Sequence, residues 1–331
     1  MAKSVSLPAG FLIEAAQFGW RSLWRLMMSQ LAPSSATGAY QRPQSQFRHI
    51  PAEPFVPTTE SGQPRYGLIV GMSCPWAHRT LVVRSLKGLE SCLPVVQVVP
   101  SPKAGGWIFT EPFLECQTLR QFYERAQTGY QGRATVPILW DQVETNIINN
   151  ESADIIKILN THFNTHASQA DLDLYPTEVQ AEIDTWNEKI YHAINDGVYR
   201  CGFAQTQAAY EVACQELFDL LSQIDRHLAN HRYLCGQHIT LADVRLFTTL
   251  IRFDVAYYGL FKCNRRRIQD YEQLRGYLRD LYQLSGIAVT CDFQQIKADY
   301  YGNLFPLNPG GLIPVGPDLA DLNQPHDRAI H

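Results

Sequence analysis

A strand-like run that ends in a cysteine at the start of a helix is the feature that most restricts the fold. The run RYGLIV at residues 65–70 leads to Cys74 and Pro75, and apolar residues at helical spacing follow. Proline suits the first helical turn, where its missing N–H costs nothing. The unpaired N–H groups of that turn favour a thiolate over a thiol. We therefore expect a strand–turn–helix unit that gives Cys74 a pKa below that of a free thiol.

This cysteine has no resolving partner. Redox proteins of the thioredoxin type carry a second cysteine three residues after the first, and here that position is Ala77. A nucleophilic thiol without a resolver needs an external thiol, and glutathione is the obvious candidate. The alternative is a buried, inert cysteine, which is the usual state of a lone Cys. His78, four residues after Cys74, is a candidate base, although packing is the interpretation we favour.

Composition restricts the remaining possibilities. A chain of 331 residues is long enough for two domains with their own cores. The net charge of −4 gives no basic field for nucleic acid. The eight cysteines are scattered, without a C-x-x-C pair or a Cys/His cluster at zinc spacing. We therefore expect no metal site, no tightly bound cofactor and no disulfide framework, and a cytoplasmic location.

The first 44 residues form an extension before the globular body. Their apolar stretch is interrupted by Glu14, Arg21 and Arg25, so it makes a poor transmembrane span. The favoured interpretation is an amphipathic helix that packs on the body or on a second subunit. A surface membrane anchor, helped by Trp20, Trp24 and the two arginines, is the alternative.

The body divides into two patterns. From residue 47 to about 163, strands alternate with helices, and a loop is expected around Gly105, Gly106 and Trp107. This alternation is typical of a small α/β domain. From about residue 184 to 300 the signals are helical, and Thr240 with Asp243 predicts a capped helix start.

Several separated motifs, taken together, resemble one family. They are SCPWAHR at 73–79, GWIF at 106–109, TVPILW at 135–140, NNES at 149–152, VYRCGF at 198–203, RFD at 252–254, FKCN at 261–264, and IK with YY at 296–301. In this order they resemble the glutathionyl-hydroquinone reductases, the xi class of glutathione transferases. The match covers roughly residues 47–317. It departs from the family at Gly302 and Asn303, where the family usually has Ser-His.

The resemblance implies an architecture and a reaction. It implies a thioredoxin-like α/β N-terminal domain at 45–170 and an all-α C-terminal domain at 171–317, between the extension at 1–44 and a tail at 318–331. It also implies a homodimer. The reaction is the reduction of a glutathionyl-hydroquinone by a second glutathione through a mixed disulfide on Cys74. Tyr199 would protonate the leaving aromatic carbon, while Tyr257 and Tyr300 would hydrogen-bond the thiolate.

The resemblance also implies a glutathione site. Val136 would offer its backbone to the cysteinyl peptide unit, as an added strand does. Ser152 would hold the γ-glutamyl carboxylate and Glu151 its amine, at a helix N-terminus. Trp107 would cover the glutathione, and Arg133 would meet a carboxylate. Each has an ordinary alternative: a helix-dipole role for Glu151, core packing for Trp107 and a solvated loop for Arg133.

Two other functions stay open at this point. A monothiol thioltransferase or dehydroascorbate reductase of the omega type shares the nucleophilic cysteine but does not require the tyrosines. A non-catalytic glutathione-transferase-like binding module would be expected to have lost Cys74, which this chain retains.

Overall fold

A six-stranded sheet forms the centre of the N-terminal half. The structure, a computed structural model, describes residues 8–328. The strand order is β4-β3-β2-β1-β5-β6. β1 runs parallel to β2 and antiparallel to β5. The strands are β1 Tyr66–Val70, β2 Val95–Ser101, β3 Gly106–Phe113, β4 Cys116–Thr118, β5 Ile138–Asp141 and β6 Asn146–Asn149.

Helices cover the sheet and make up the C-terminal half. In the N-terminal half they are α1 Ala9–Leu31, α2 Pro75–Lys87, α3 Leu119–Ala126 and α4 Ser152–Thr161. In the C-terminal half they are α5 Gln180–Ile190, α6 Gly197–Gly202, α7 Gln207–His227, α8 Leu241–Arg252, α9 Tyr258–Leu260, α10 Glu272–Gln283 and α11 Phe293–Asn303.

The predicted start of α8 has the expected geometry. The Asp243 carboxylate accepts hydrogen bonds from the backbone N–H and the hydroxyl of Thr240, both at 2.8 Å. It also accepts one from the Tyr277 hydroxyl, at 2.7 Å. The helix ends in a π-helical turn, Phe253–Tyr257, which carries Tyr257. Such turns inside α-helices are frequent at functional sites.

His78 belongs to the packed contact between the two halves. It is fully buried, its Nδ1 lies 2.8 Å from the Arg252 guanidinium, and its Nε2 lies 2.8 Å from the Thr290 hydroxyl. Burial and the charge of Arg252 lower the pKa of this imidazole well below its ordinary value. Because both ring nitrogens already have partners, the structure agrees with packing rather than with a catalytic base.

The expected loop around Trp107 is instead the start of β3, so that prediction was wrong. β3 pairs antiparallel with β2, and Ile108 and Phe109 lie opposite Val99 and Val98. Most of β3 faces outward near the sheet edge, so its sequence lacks the continuous apolar run of a buried strand. Gly105, at a φ of 67°, belongs to the turn before the strand.

The last turns of α1 and the segment around Arg328 pack on the rest of the protein, whereas most of α1 is exposed. On α1, Met28 is buried and Trp24 is half-buried, whereas Phe18 and Leu26 are exposed. Within the described residues, no helix is both long and apolar enough to cross a bilayer. Near the other end, Arg328 is fully buried and donates hydrogen bonds to carbonyl oxygens that follow α7, including that of Leu228 at 2.8 Å.

Candidate active site

A cavity of about 470 Å³ lies between the sheet and the helical half. Four parts of the chain form its wall: residues 40–46, the turn between β1 and α2 that ends in Cys74, the segment 130–136, and the C-terminal end of α11. Tyr199 and Phe203 complete the side formed by α6. The fold therefore brings a thiol, phenols and cations to one enclosed space.

Cys74 is half-buried in this wall, at the N-cap of α2. Its sulfur lies 3.7 Å from the carbonyl oxygen of Val136, to which the thiol donates a weak hydrogen bond. Burial raises the pKa of this thiol, and the N–H of Ala77, the charge of Arg42 and the N–H of Trp76 oppose the rise.

The expected depression of the Cys74 pKa is therefore wrong. The helix N-terminus acts in the predicted direction, because two of its backbone N–H groups favour the thiolate. Removal of the sulfur from water outweighs them. How deeply a thiol is buried depends on the whole fold, so the local sequence does not reveal it.

The three predicted tyrosines form one hydrogen-bonded chain. The hydroxyl of Tyr300 lies 2.7 Å from that of Tyr199 and 2.9 Å from that of Tyr257. Tyr199 and Tyr300 line the cavity, whereas Tyr257 is fully buried behind them. Burial raises the pKa of Tyr199 and Tyr300 well above the ordinary phenol value, and Cys74 is close enough to raise that of Tyr199 further. These phenols are therefore protonated at neutral pH.

The structure does not show the expected bonds from Tyr257 and Tyr300 to the thiol. Within residues 8–328, each of these hydroxyls bonds another tyrosine hydroxyl, and the sulfur bonds Val136. Tyr257 lies one phenol behind the cavity wall and hydrogen-bonds Tyr300 rather than the sulfur.

Trp107, Arg133 and Val136 all lie in the cavity wall. The Trp107 ring lies against Gly71, where a Cβ would come within 2.3 Å of it, so this close approach requires glycine. The peptide bond from Val136 to Pro137 is cis. The Arg133 guanidinium has no carboxylate partner among the described residues, so it is available to an anion.

Glu151 and Ser152 lie just behind the wall, next to Asn150, which lines it. The Glu151 carboxylate caps α4 by accepting from the Ala153 N–H at 3.1 Å. It also accepts at 2.9 Å from the hydroxyl of Ser45, a residue of the wall. Ser152 is 2% exposed. The structure thus brings the pair to the edge of the cavity rather than into it.

Sequence reasoning missed Arg42 because it lies in the extension, outside the resemblance. Its guanidinium stacks on the Trp76 ring, 3.7 Å from the centroid, and it lines the cavity. No carboxylate in residues 8–328 forms an ion pair with it. Nothing in the sequence marks this role, because the contact with Trp76 is long-range.

Sequence reasoning also gave no role to Arg252, although the RFD motif contains it. This arginine is fully buried, and its Nε and Nη2 each donate a 3.0 Å hydrogen bond, to the carbonyl oxygens of Ser73 and Met72 respectively. Its charge lowers the pKa of both Cys74 and Tyr300.

Across the described part of the chain, no group of three His, Cys, Asp or Glu side chains could hold a metal ion.

Comparison with known proteins places this geometry in a family. The family model described as "Glutathione S-transferase, N-terminal domain" matches residues 73–162, and that described as "Glutathione S-transferase, C-terminal domain" matches 207–280. These matches confirm the expected fold class, a thioredoxin-like α/β domain followed by an all-α domain.

Individual relatives match over most of the chain. The glutathionyl-hydroquinone reductase YqjG of Escherichia coli is 42% identical over 310 residues, which cover 89% of this chain and 94% of the relative. The glutathionyl-hydroquinone reductase PcpF of Sphingobium chlorophenolicum is 42% identical over 316 residues, which cover 93% of this chain and 96% of the relative.

Solved structures agree with these relatives. The glutathione-bound structure of YqjG superposes with a TM-score of 0.77 at 44% identity and covers 81% of this chain and 89% of that one. The xi glutathione transferase of Phanerochaete chrysosporium superposes with a TM-score of 0.82 at 39% identity. The match covers 89% of this chain and 97% of that one.

Proposed function

This chain belongs to the xi class of glutathione transferases, the glutathionyl-hydroquinone reductases, and we propose that it reduces glutathionyl-hydroquinones to hydroquinones with glutathione as the electron donor. The observation that carries the proposal is the chain of phenols from Tyr199 through Tyr300 to Tyr257, in the same cavity as Cys74. Exchange between a thiol and a disulfide needs no such proton donor, whereas cleavage of an aryl thioether does.

The first step forms a mixed disulfide. The Cys74 thiolate attacks the sulfur of the conjugate, an S–S bond forms, and the bond from that sulfur to the aromatic carbon breaks. The carbon takes the electron pair and must gain a proton, because an aryl carbanion is a poor leaving group. Tyr199 supplies that proton, and Tyr300 hydrogen-bonds the phenolate that remains. The products are the hydroquinone and glutathione bound to Cys74.

The second step restores the enzyme. The thiolate of a second glutathione attacks the sulfur of the bound glutathione, and Cys74 leaves as a thiolate. The proton that this glutathione thiol releases balances the one that Tyr199 gave to the ring. The glutathione thiol and the sulfur of the conjugate have become glutathione disulfide, and the aromatic carbon has kept the electron pair of the broken carbon–sulfur bond and gained a proton. No metal or other cofactor takes part in these steps.

Glutathione binds along the wall formed by residues 130–136 and by the segment 40–46. The Val136 backbone pairs with the cysteinyl peptide unit and Trp107 covers it. Glu151 and Ser152 face the γ-glutamyl end, at the N-terminus of α4. Arg133 meets a carboxylate. Arg133 has no carboxylate partner among residues 8–328, and Val136 already contacts the reactive sulfur, which supports this arrangement.

The free cysteines and the exposed face of α1 bear on location and assembly. All eight cysteines are free thiols, which suits the reducing cytoplasm. Exposed apolar side chains of α1, such as Phe18 and Leu26, provide a surface that a homodimer could bury. We assign residues 45–170 to glutathione binding and 171–317 to the hydroquinone. The extension at 1–44 contributes Arg42 to the site, and 318–331 is a tail.

Turnover of two substrates tests the proposed function. Glutathionyl-menadiol should be reduced by glutathione with release of menadiol and glutathione disulfide. Cys74→Ala should abolish this turnover and Cys74→Ser nearly so, because an alcohol is not ionised near neutral pH. The omega-type alternative predicts that only a mixed disulfide, such as that of glutathione with 2-mercaptoethanol, is reduced. Turnover of the mixed disulfide without turnover of glutathionyl-menadiol would contradict the proposal.

A further inference from the structure

Asp299 is a buried carboxylate in the wall of the cavity that the reaction steps above do not use. It lies on α11, directly before Tyr300, and its side chain is 8% exposed. One oxygen, Oδ1, accepts a 2.6 Å hydrogen bond from the Gln295 amide. The other, Oδ2, is buried and has no hydrogen-bond partner within residues 8–328. The residue therefore presents an unpaired acceptor at the cavity.

An unpaired buried acceptor normally destabilises a protein. Most buried polar side-chain atoms have a hydrogen-bond partner in the folded protein. An atom without one has given up its hydrogen bonds to water on folding and gained none in return, which costs free energy. Burial raises the pKa of Asp299, and the hydroxyl of Ser73 and the Gln295 amide lower it. The Ser73 hydroxyl is thus nearby, yet it makes no hydrogen bond of acceptable geometry to Oδ2. A donor that enters the cavity would satisfy this oxygen.

A second polar side chain, that of Asn303, lies one turn further along the same helix. Asn303 is four residues after Asp299, which places both on one face of α11, and both line the cavity. Asn303 is also one of the two positions at which the chain departs from the Ser-His of its family. Tyr300 lies on the same wall and bonds the proposed acid Tyr199. A ring bound in this cavity would therefore have a carboxylate and an amide in the surrounding wall, in addition to the phenols.

We propose that Asp299 accepts a hydrogen bond from a hydroxyl group of the hydroquinone ring, and that Asn303 extends this contact. The inference rests on the proposed function, because it assigns a recognition residue for that substrate. A hydroquinone carries hydroxyl donors, and an ionised carboxylate is an acceptor only, so the two are complementary. The mixed disulfide of glutathione with 2-mercaptoethanol has no ring to place there.

Asp299→Asn is the matched substitution, because it keeps the shape and the acceptor for Gln295 and replaces the unpaired oxygen by an amide donor. We expect kcat/KM for glutathionyl-menadiol to fall by about 10- to 100-fold, the range for a hydrogen bond to a charged group. For the mixed disulfide, kcat/KM should change by less than about twofold, the level of an ordinary surface substitution. Asp292→Asn is the control, because Asp292 is an exposed N-cap of the same helix and Asn caps equally well.

Thermal unfolding separates recognition from a structural role. Asp299→Asn should unfold at the wild-type temperature or above it, because the amide avoids a buried, half-paired charge. A lower melting temperature together with equal losses on both substrates would overturn the inference in favour of a structural role. Equal losses at an unchanged melting temperature would assign Asp299 to glutathione instead, and would also overturn it.

The inference and the proposed function fail in different ways. If the wild type reduces glutathionyl-menadiol and Asp299→Asn reduces it equally well, only the inference is overturned. If the wild type does not reduce glutathionyl-menadiol, the proposed function is overturned, and the inference with it.

Discussion

The buried guanidinium of Arg252 donates a 3.0 Å hydrogen bond to the carbonyl oxygen of Ser73, the residue before Cys74. A second 3.0 Å bond reaches the Met72 carbonyl and a 2.8 Å contact reaches His78 Nδ1. Within residues 8–328 this arginine has no carboxylate partner, so its charge is not neutralised locally. One side chain of the helical half thus fixes the turn that carries the nucleophile and places a positive charge near it.

Substitution of Arg252 should change both the position and the ionisation of Cys74. Arg252→Gln removes the charge, so the Cys74 pKa should rise, and kcat should fall by about 10- to 100-fold because small displacements of a reacting group have effects of that size. Arg252→Lys keeps the positive charge but loses the planar guanidinium that bonds both carbonyl oxygens. The pKa of Cys74 in this variant should therefore stay closer to the wild-type value. The measurement is the alkylation rate of Cys74 against pH, followed by peptide mass spectrometry. An unchanged pH profile in both variants would contradict an electrostatic role.

The Cys74 pKa should also depend on glutathione. The half-buried thiol donates to the Val136 carbonyl, and burial raises its pKa above the free-thiol value of about 8.5. Below this raised pKa the thiol is protonated, and the thiolate appears only as the pH rises through it. If S-methylglutathione takes the Val136 carbonyl, the thiol loses its acceptor and the midpoint should fall. Thiolate ultraviolet absorbance, with Cys74→Ser as the blank, measures this, and a midpoint that rises or stays constant would contradict it.

Local patterns predicted the elements that surround the site. The turn at Cys74 and the capped start of α8 follow from residues within a few positions of each other. The resemblance added Tyr199 and Tyr300, which do meet in the structure at 2.7 Å. The Tyr199–Tyr300 pair joins distant parts of the chain, and the resemblance, rather than a local pattern, assigned both residues to the site.

Features that depend on long-range packing could not be predicted. Arg42 reaches the cavity only because the extension folds back over Trp76. The raised Cys74 pKa depends on burial by both halves of the chain. The unpaired Oδ2 of Asp299 can be recognised only when the positions of all potential hydrogen-bond donors around it are known. The strand at Trp107 was missed because glycines at the start of a largely exposed strand look like a loop.

Glutathione affinity should respond to the two residues at the start of α4. Glu151→Gln and Ser152→Ala should each weaken glutathione binding by about 1–3 kcal/mol, the usual effect of losing a hydrogen bond to a charged group. Glutamine is preferred to alanine at 151 because Glu151 also caps α4, and the amide oxygen can keep that bond. The titration uses the fluorescence of Trp107. If neither substitution changes the titration, the groove assignment is wrong.

Arg42 should contribute to the same affinity by attracting a carboxylate of glutathione. Arg42→Gln should weaken binding by about 1–3 kcal/mol. Arg42→Lys should recover only part of it, because an ammonium cannot stack on Trp76 as a planar guanidinium does. Arg48→Gln is the control. Arg48 lies just after the segment 40–46, but it pairs with Asp154 at 2.8 Å instead of lining the cavity. Equal effects of Arg42→Gln and Arg48→Gln would indicate a general charge effect and contradict the contact.

Tyr199 should distinguish the reductase from a thioltransferase. Tyr199→Phe removes one hydroxyl and almost no volume, so the fold should survive, and Tyr301→Phe is the matched control because its hydroxyl bonds the Val255 carbonyl instead of the phenol chain. Loss of a general acid should lower turnover of glutathionyl-menadiol by about 10²–10⁴-fold. Reduction of the mixed disulfide should change far less, because its leaving group is a thiolate that needs no proton. Equal losses on both substrates would assign Tyr199 to stabilisation of the Cys74 thiolate, and no loss on either would favour the omega-type activity.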